Sequence, residues 1–542
     1  MRVSLRLLSG LLLPEKARTG LTLPLDESIL TADSDKDELA PAREVRRSHL
    51  FLEVIAAFIL ITALLAWIQF SGQAILDNDG YYHIRWSKRL RETAPYLPSF
   101  KALPLTTLNE NDYVDHHYLY HVLLIPFTYG DLRIGAKLAA VAFSTLALTT
   151  LFALLVIYRI RYRWLWLIPL VASSEPFLYR MSMTRAPSLS LIFMAIGAYL
   201  ILQRKVWWLA LLSFFFVWAY SLFPLILIMA IFHAVCVYVA EQRFDFKAIY
   251  ASSAGILAGL IINPYFPKNL ILLRDHLQMK LTATYSVDVG VEWYPYDSWV
   301  LVSGSAVAFI LFFIALLAFN FHKWREDIKP LFFLLIAIAL LIMTLKSRRF
   351  IEYFPPFAIL FAAFTIKWRI PAAWVDNREK QTVAVGTAIL LLFFLLVSTM
   401  LNCLQARQNV KSEADPFAYR GASEWITANV PSGSIIFNTD WDDFPMLYYY
   451  NPDYAYVAGL DPTYLYDKEK ELWQLYADIT LGKRTDAASV IRERFGAEYV
   501  FTDNYHQDFL NVAERSRYFS TVYKDNATTV LRVLREEEKT SE

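Results

Sequence analysis

Two carboxylates, Asp77 and Asp79, stand one residue apart directly after the first long apolar run, and Tyr81, Tyr82, His83 and Arg85 follow them. Acids at a membrane–water boundary can hold a hard divalent cation through oxygen ligands. Such a cation neutralises a phosphate leaving group or polarises an acceptor. The same acids equally suit the N-cap of a solvated helix. Further along, Asp115, His116, His117 and His121 fall within seven residues, in a chain with nine histidines. His117 and His121 are four apart and share a face if the segment is helical. Imidazole plus carboxylate can complete a metal shell; histidines of an interfacial helix at headgroup depth fit the pattern too. Glu292 lies in an apolar–polar loop, 265–297, of the sort that orders on substrate binding. It can receive a hydrogen bond from an acceptor or stand as an ordinary solvated acid. Lys346, Arg348 and Arg349 cluster at the end of an apolar run, where positive-inside statistics disfavour bases. Guanidinium forks bind phosphate, and a lipid headgroup contact is the other reading. Arg180 and Arg185 allow the same two.

Elements must carry these groups. The chain has 542 residues, 56% hydrophobic and 19% charged, whereas soluble domains run at about 45–50% apolar and about 25% charged. With several apolar runs near twenty residues, this excludes a cytosolic enzyme, a disordered chain and a disulfide scaffold. A net charge of +1 gives no field for nucleic acid. Cys236 and Cys403 are isolated, and Cys236 reads as a small buried apolar group. Apolar runs near 50–70, 134–158, 163–178, 186–202, 206–222, 224–240, 247–264, 298–320, 330–345, 351–367 and 382–402 predict about eleven transmembrane helices. Pro224 is the break in one pair, and 163–178 is short enough to be tilted or re-entrant. If the N-terminus is inside, the inner loops 159–162, 203–205, 241–246, 321–329 and 368–381 are all short and basic.

The predicted organisation is a polar cytoplasmic tail at 1–48 with no cleaved signal peptide, a transmembrane domain at 49–402 with outer loops 71–133 and 265–297, and an extracytoplasmic α/β domain at 403–542. Within the last, short strands are expected near 434–437, 455–457, 498–501 and 529–533. Helical apolar spacing falls at 416–428, 467–481 and 485–495.

The acid, small residue, two aromatics, histidine and base at 77–85 resemble the first outer-loop motif of the oligosaccharyltransferases. These are GT-C polytopic glycosyltransferases that take sugar from a polyprenyl-phosphate or -pyrophosphate donor. Arg348, Arg349 and Phe350, with Tyr353 and Pro355, look like the family's Arg-Phe motif, and Glu292 sits where the family carries a glutamate in a large mobile loop. Trp441, Asp442, Asp443, Phe444 and Pro445 are similar to its Trp-Trp-Asp-Tyr-Gly motif, with Asp442 at the second tryptophan and Pro445 at the glycine.

The resemblance implies a GT-C fold and inverting transfer by a single displacement. It implies Asp79 as the acid that binds metal and acceptor, Glu292 at the acceptor, and Arg348 and Arg349 on the donor phosphate. His83, Arg85, Trp441 and Asp443 would contact substrate. The turn 175–185 offers only Glu175 as a second acid, so Asp115 or His116 is expected to join Asp79 around a divalent cation, Mg²⁺ or Mn²⁺. Expected partners are a polyprenyl-linked sugar, the lipid bilayer and an acceptor that is an asparagine, another protein residue, a glycolipid or a polysaccharide; nucleic acid is not among them. The expected location is a bacterial or archaeal cell (inner) membrane. The competing reading is a transporter or flippase of lipid-linked glycans.

Overall fold

The computed structural model describes residues 34–93, 97–282, 290–320, 325–366 and 378–535. Parts of the expected tail (1–33), the mobile loop (283–289) and two inner loops (321–324, 367–377) lie outside the described residues. Contacts divide the chain into Met1–Leu52 and Glu53–Glu542, and the candidate site belongs to the second unit.

All the apolar runs contain helix. The first lies in α1 (Ser34–Gln69). The segment that follows supplies α2 (Asp79–Glu92) and α3 (Tyr118–Leu124). Then come α4 (Leu132–Ile157), α5 (Arg163–Ala172), α6 (Glu175–Met181), α7 (Pro187–Leu202), α8 (Val206–Ala219), α9 (Pro224–Glu241) and α10 (Lys247–Ile261). The later ones are α11 (Lys268–Thr282), α12 (Ser298–Gly304), α13 (Ala306–Ala318), α14 (Lys329–Lys346), α15 (Phe354–Ile366) and α16 (Arg378–Lys411).

Among the described residues, five helices are long and apolar enough to cross a membrane, or six if the α12–α13 pair is one span. The chain is a multi-pass integral membrane protein whose apolar runs are unequal in length. The breakers explain the inequality. Run 163–178 divides because Ser174 caps a new helix, its Oγ accepting from Phe177 N at 3.2 Å, with Pro176 in the first turn. Pro224 starts α9 in the same way. Run 298–320 bends by 82° between α12 and α13.

Close helix packing follows from small residues. A Cβ on Gly255 would lie 2.1 Å from the Ala210 carbonyl oxygen, and one on Gly259 would lie 2.7 Å from that of Phe214. The four-residue glycine spacing on α10 therefore lets α8 approach backbone to backbone. Trp218 Nε1 uses the closeness to donate to the Gly259 carbonyl at 2.9 Å.

The C-terminal part forms a five-stranded sheet in the order β2-β1-β3-β5-β4, with β1 (Ile435–Asn438), β2 (Ala455–Tyr456), β3 (Tyr499–Asp503), β4 (Phe519–Lys524) and β5 (Thr528–Val533). β1 runs parallel to β2 and β3, whereas β5 is antiparallel to β3 and β4. Interior strand β1 opens with an apolar run, as a strand covered on both faces requires. Edge strand β4 carries Ser520, Thr521 and Lys524 and is only partly buried, so its sequence lacks the apolar signal.

One hydrophobic core ties the segment between α1 and α4 to this sheet. Tyr82, Trp86, Leu90, Phe100 and Tyr113 pack with Ile426, Ile436, Phe444, Tyr456 and Phe501. Backbone bonds reinforce it: Tyr456 N donates to Ala102 O at 2.8 Å and Thr107 N to Tyr464 O at 3.0 Å. Helix α2 is thereby held by the sheet side, and its N-terminus is presented to the turn between α6 and α7.

Candidate active site

Asp79 opens α2. The residue before the cap, Asp77, has φ 69°, a left-handed conformation that aspartate tolerates better than most residues. Gly80 follows because a Cβ there would sit 2.6 Å from Ile75 Cγ2 and 3.3 Å from Thr184 Cβ. That contact brings the start of α2 against Arg185. Its guanidinium lies 2.9 Å from Asp79 Oδ2, 3.4 Å from Asp77 Oδ2 and 3.0 Å from Glu292 Oε2.

Glu292 is gripped in turn by three guanidinium groups. Besides Arg185, Arg180 lies 3.1 Å away and Arg349 3.4 Å away. Arg180 also binds Glu352 through Nε. Arg349 stacks over the Trp293 ring, 4.4 Å from its centroid. The 290–297 loop is pinned beside this cluster, since Ser347 Oγ donates to Glu292 O at 2.8 Å and Arg348 N to Tyr294 O at 3.0 Å.

Burial pushes the Glu292 carboxyl up, but Arg185, Arg349 and Arg180 outweigh it and hold the group well below the usual range. Asp77 behaves in the opposite way. Burial, with Asp79 and Glu292 nearby, overcomes Arg185 and raises it from 3.8 to about 7. Burial raises Asp79 as well, against the pull of Arg185.

A cavity of about 120 Å³ collects Asp79, His83, Asp115, His116, Arg185, Glu292 and Arg349. Tyr82, His121, Tyr220, Asp461 and Tyr464 also line it. Arg348 is absent from it: its Nε donates to Pro295 O at 3.1 Å and its head lies over Tyr296. Of the two expected phosphate arginines, only Arg349 faces the acids. Arg85 also points elsewhere, toward Tyr448 and Tyr449. The reason is helical: residues 79, 82 and 83 line the cavity, and position 85 has turned off that face.

The histidines form a chain. Trp86 Nε1 donates to Asp115 Oδ2 at 3.0 Å, and His121 Nδ1 meets the same oxygen at 2.7 Å. His121 Nε2 meets His83 Nδ1 at 2.7 Å. His117 N donates to Asp115 Oδ1 at 3.0 Å. Burial, with His121 beside it, keeps the His83 imidazole well below its usual pKa, hence neutral.

This chain decides how the expected cation fits. Among the described residues no three His, Cys, Asp or Glu side chains are grouped to hold a metal. Both Asp115 oxygens are spoken for by Trp86, His121 and the His117 amide. Asp79 faces the Arg185 guanidinium. Asp79, Asp115 and His116 share the cavity without forming a ligand shell, and a guanidinium supplies the positive charge beside Asp79. Glu175 lies apart, accepting from Asn409 Nδ2 at 2.8 Å.

In the 441–445 patch Asp442 bonds to the residue that caps α2, though it does not line the cavity. Asn78 Nδ2 donates to Asp442 Oδ2 at 3.0 Å. Asp443 instead receives the Tyr419 hydroxyl and is buried, which pushes its carboxyl well up. The Trp441 indole stands 3.6 Å from the point a Cβ on Gly290 would occupy, at the border of the Glu292 loop. Trp441 and Asp443 are outside the cavity wall. Asp461 and Tyr464 gave no sequence signal, because a Leu-Asp-Pro-Thr stretch reads as a turn.

Neither a family model nor a curated protein matches the sequence. Solved structures do match by shape. The Archaeoglobus fulgidus oligosaccharyltransferase in its apo form aligns over 89% of this chain and 75% of its own, with TM-score 0.59 and 10% identity. The same enzyme tethered by a disulfide to an acceptor peptide with the NVT sequon gives TM-score 0.55 at 12% identity, over 89% of this chain and 74% of its own. ArnT from Cupriavidus metallidurans bound to undecaprenyl phosphate aligns over 89% of this chain and 98% of its own, with TM-score 0.54 and 13% identity. The chain has the fold of these proteins in a strongly diverged sequence.

Proposed function

We propose that this chain is a membrane glycosyltransferase that moves a sugar from a polyprenyl-phosphate or -pyrophosphate donor to an acceptor at the outer face. The observation that carries the reading is the meeting of Asp79, Glu292, Arg185 and Arg349 in one cavity. Glycosyl transfer from such a donor leaves negative charge on the departing phosphate. Preorganised guanidinium groups in a site that excludes water stabilise that charge. Arg349 and Arg185 are assigned to the phosphate, and Asp79 and Glu292 to the acceptor side. ArnT, of the same fold, binds undecaprenyl phosphate, which supports the donor class.

In this reading the N-terminus is cytoplasmic and the sheet domain 403–542 extracytoplasmic. No step is routed through a divalent cation. The charges lie at helix ends and in loops rather than in mid-span, which favours an enzyme over a transporter with mid-bilayer sites.

The test is a reconstituted assay with a radiolabelled undecaprenyl-phosphate-linked sugar. Wild type should release or transfer label, and Asp79→Ala and Arg349→Ala should lose it. Movement of the lipid-linked sugar across the bilayer without bond cleavage would overturn the reading.

A further inference from the structure

The cavity has two kinds of lining. Asp79, Arg185, Glu292 and Arg349 carry its charge cluster. Tyr82, Leu108, Tyr113 and Tyr464 also line it, and they belong to the core that packs on the sheet. Asp461 stands beside the second kind, in the turn 459–464 that also supplies Tyr464. The turn is shaped to present it. Asp461 N donates to Gly459 O at 2.8 Å around Leu460, whose φ is 66°, a γ-turn geometry that is rare and strained for a side chain such as leucine. Gly459 is required there, because a Cβ would lie 2.2 Å from Phe444 Cγ. Thr463 N and Oγ1 both donate to Asp461 Oδ1, at 2.9 and 2.6 Å. Asp461 Oδ2 has no hydrogen bond or ion pair among the described residues, and the Tyr464 hydroxyl has none either. Neither atom is sealed away from the cavity that both residues line.

Holding the turn accounts for Oδ1 alone and leaves Oδ2 and the Tyr464 hydroxyl open. Burial raises the Asp461 carboxyl above its ordinary value, against its Thr463 bonds and Arg349 and with the help of Glu292, so the group stands within electrostatic reach of both. We propose that Asp461, with Tyr464 beside it, binds the hydroxyl groups of the phosphate-linked sugar of the donor and selects a neutral sugar over a uronic acid. The inference rests on the glycosyltransferase reading and on its assignment of Arg349 to the phosphate. The sugar is one bond from that phosphate, so the group that meets it must face Arg349 without binding the phosphate itself. A carboxylate satisfies both conditions, since it repels phosphate and only accepts hydrogen bonds. Sugar hydroxyls donate to it in charge-assisted bonds, and the apolar C–H faces of the ring suit a wall of tyrosines. Once the phosphate takes Arg185 and Arg349, the other Asp, Glu, Lys and Arg side chains lining the cavity are all acids: Asp79, Asp115, Glu292 and Asp461. The carboxylate of a uronic acid is then set among like charges, which discriminates against it.

Binding to the full-length protein in lipid nanodiscs tests it with three probes: undecaprenyl phosphate, undecaprenyl-phosphate-linked glucose and undecaprenyl-phosphate-linked glucuronate. Wild type should bind the glucosyl lipid roughly tenfold or more tightly than the glucuronosyl lipid. Asp461→Ala should lose roughly 10- to 100-fold in affinity for the glucosyl lipid. It should bind undecaprenyl phosphate as tightly as wild type, which also reports that the site is folded. Asp461→Asn keeps an oxygen for Thr463 and removes the charge, so it should bind the glucuronosyl lipid more tightly than wild type does and narrow the sugar preference. Undiminished glucosyl binding by Asp461→Ala overturns the proposal with the glycosyltransferase reading intact. So does a wild type that favours the glucuronosyl lipid, or an equal loss for bare and glucosyl lipid in Asp461→Ala together with an unchanged sugar preference in Asp461→Asn. A wild type that binds none of the three lipids overturns both.

Discussion

Arg185 and Glu292 are paired at 3.0 Å, and each is the hub for the opposite charge: Arg185 also reaches Asp77 and Asp79, and Glu292 also reaches Arg180 and Arg349. The pair therefore joins the acidic start of α2 to the basic end of α14. A phosphate entering among the guanidinium groups meets a carboxylate already seated there. In the proposed enzyme, donor binding would be coupled to the position of the Glu292 loop through this cluster of ion pairs.

Arg185→Ala should both destabilise the fold and abolish transfer. Removing one partner of a buried ion pair leaves uncompensated charge and costs roughly 3–5 kcal/mol. Arg185→Lys keeps the charge but loses the planar fork that meets several carboxylates at once. Thermal unfolding in detergent should therefore rank wild type above Arg185→Lys above Arg185→Ala. Equal midpoints for all three would show that the hub is not structural.

Glu292→Gln should separate binding from turnover. The neutral amide frees Arg180, Arg185 and Arg349 from a competing carboxylate. Undecaprenyl phosphate should then bind roughly tenfold more tightly, about 1.4 kcal/mol, while sugar transfer falls. Titration calorimetry with undecaprenyl phosphate reads the first effect directly. Weaker binding would mean that Glu292 orders the arginines for the phosphate instead of occupying their place.

The apolar helical runs and most strands of the C-terminal sheet were legible because each leaves a local mark: apolar length or a short apolar strand. What stayed hidden depends on three dimensions. Arg348 and Arg349 are equal in sequence, and only the short turn Arg348–Glu352 sends one to Pro295 and the other to Glu292. Asp442 looked like a departure from a motif, yet it is the acid bonded to Asn78, while the matching Asp443 is buried against Tyr419. His83 and His121 are 38 residues apart, so no spacing rule joins them. Strand β4 escaped notice because an edge strand needs no apolar run.

Acidity should act through Asp77. Its carboxyl lies at about 7 in the folded chain against an ordinary 3.8. Between these values the folded protein keeps a proton that the unfolded chain has released. Its contribution to stability therefore falls as pH rises from about 4 to about 7 and is flat above that. Arg185 and Arg180 oppose this shift, while Asp79 and Glu292 support it. Asp77→Asn removes the titration, so its unfolding midpoint should lose the part of the wild-type slope that falls in this window. Parallel midpoint-versus-pH curves for the two proteins would rule Asp77 out as the titrating group.

The two adjacent arginines should differ sharply. Arg349 reaches Glu292 and lines the cavity, whereas Arg348 holds the carbonyl of Pro295 and stacks on Tyr296. Losing a charged hydrogen bond to a phosphate costs about 1.5–3 kcal/mol, so Arg349→Ala should weaken undecaprenyl phosphate binding by roughly 10- to 100-fold. Arg348→Ala removes a contact outside the cavity. Its effect should stay near 0.5 kcal/mol, about twofold in affinity. It should instead loosen the 290–297 loop, which proteolysis or hydrogen exchange of that segment would reveal. Equal losses of affinity in the two variants would place the phosphate against Arg348 as well and redraw the basic wall of the site.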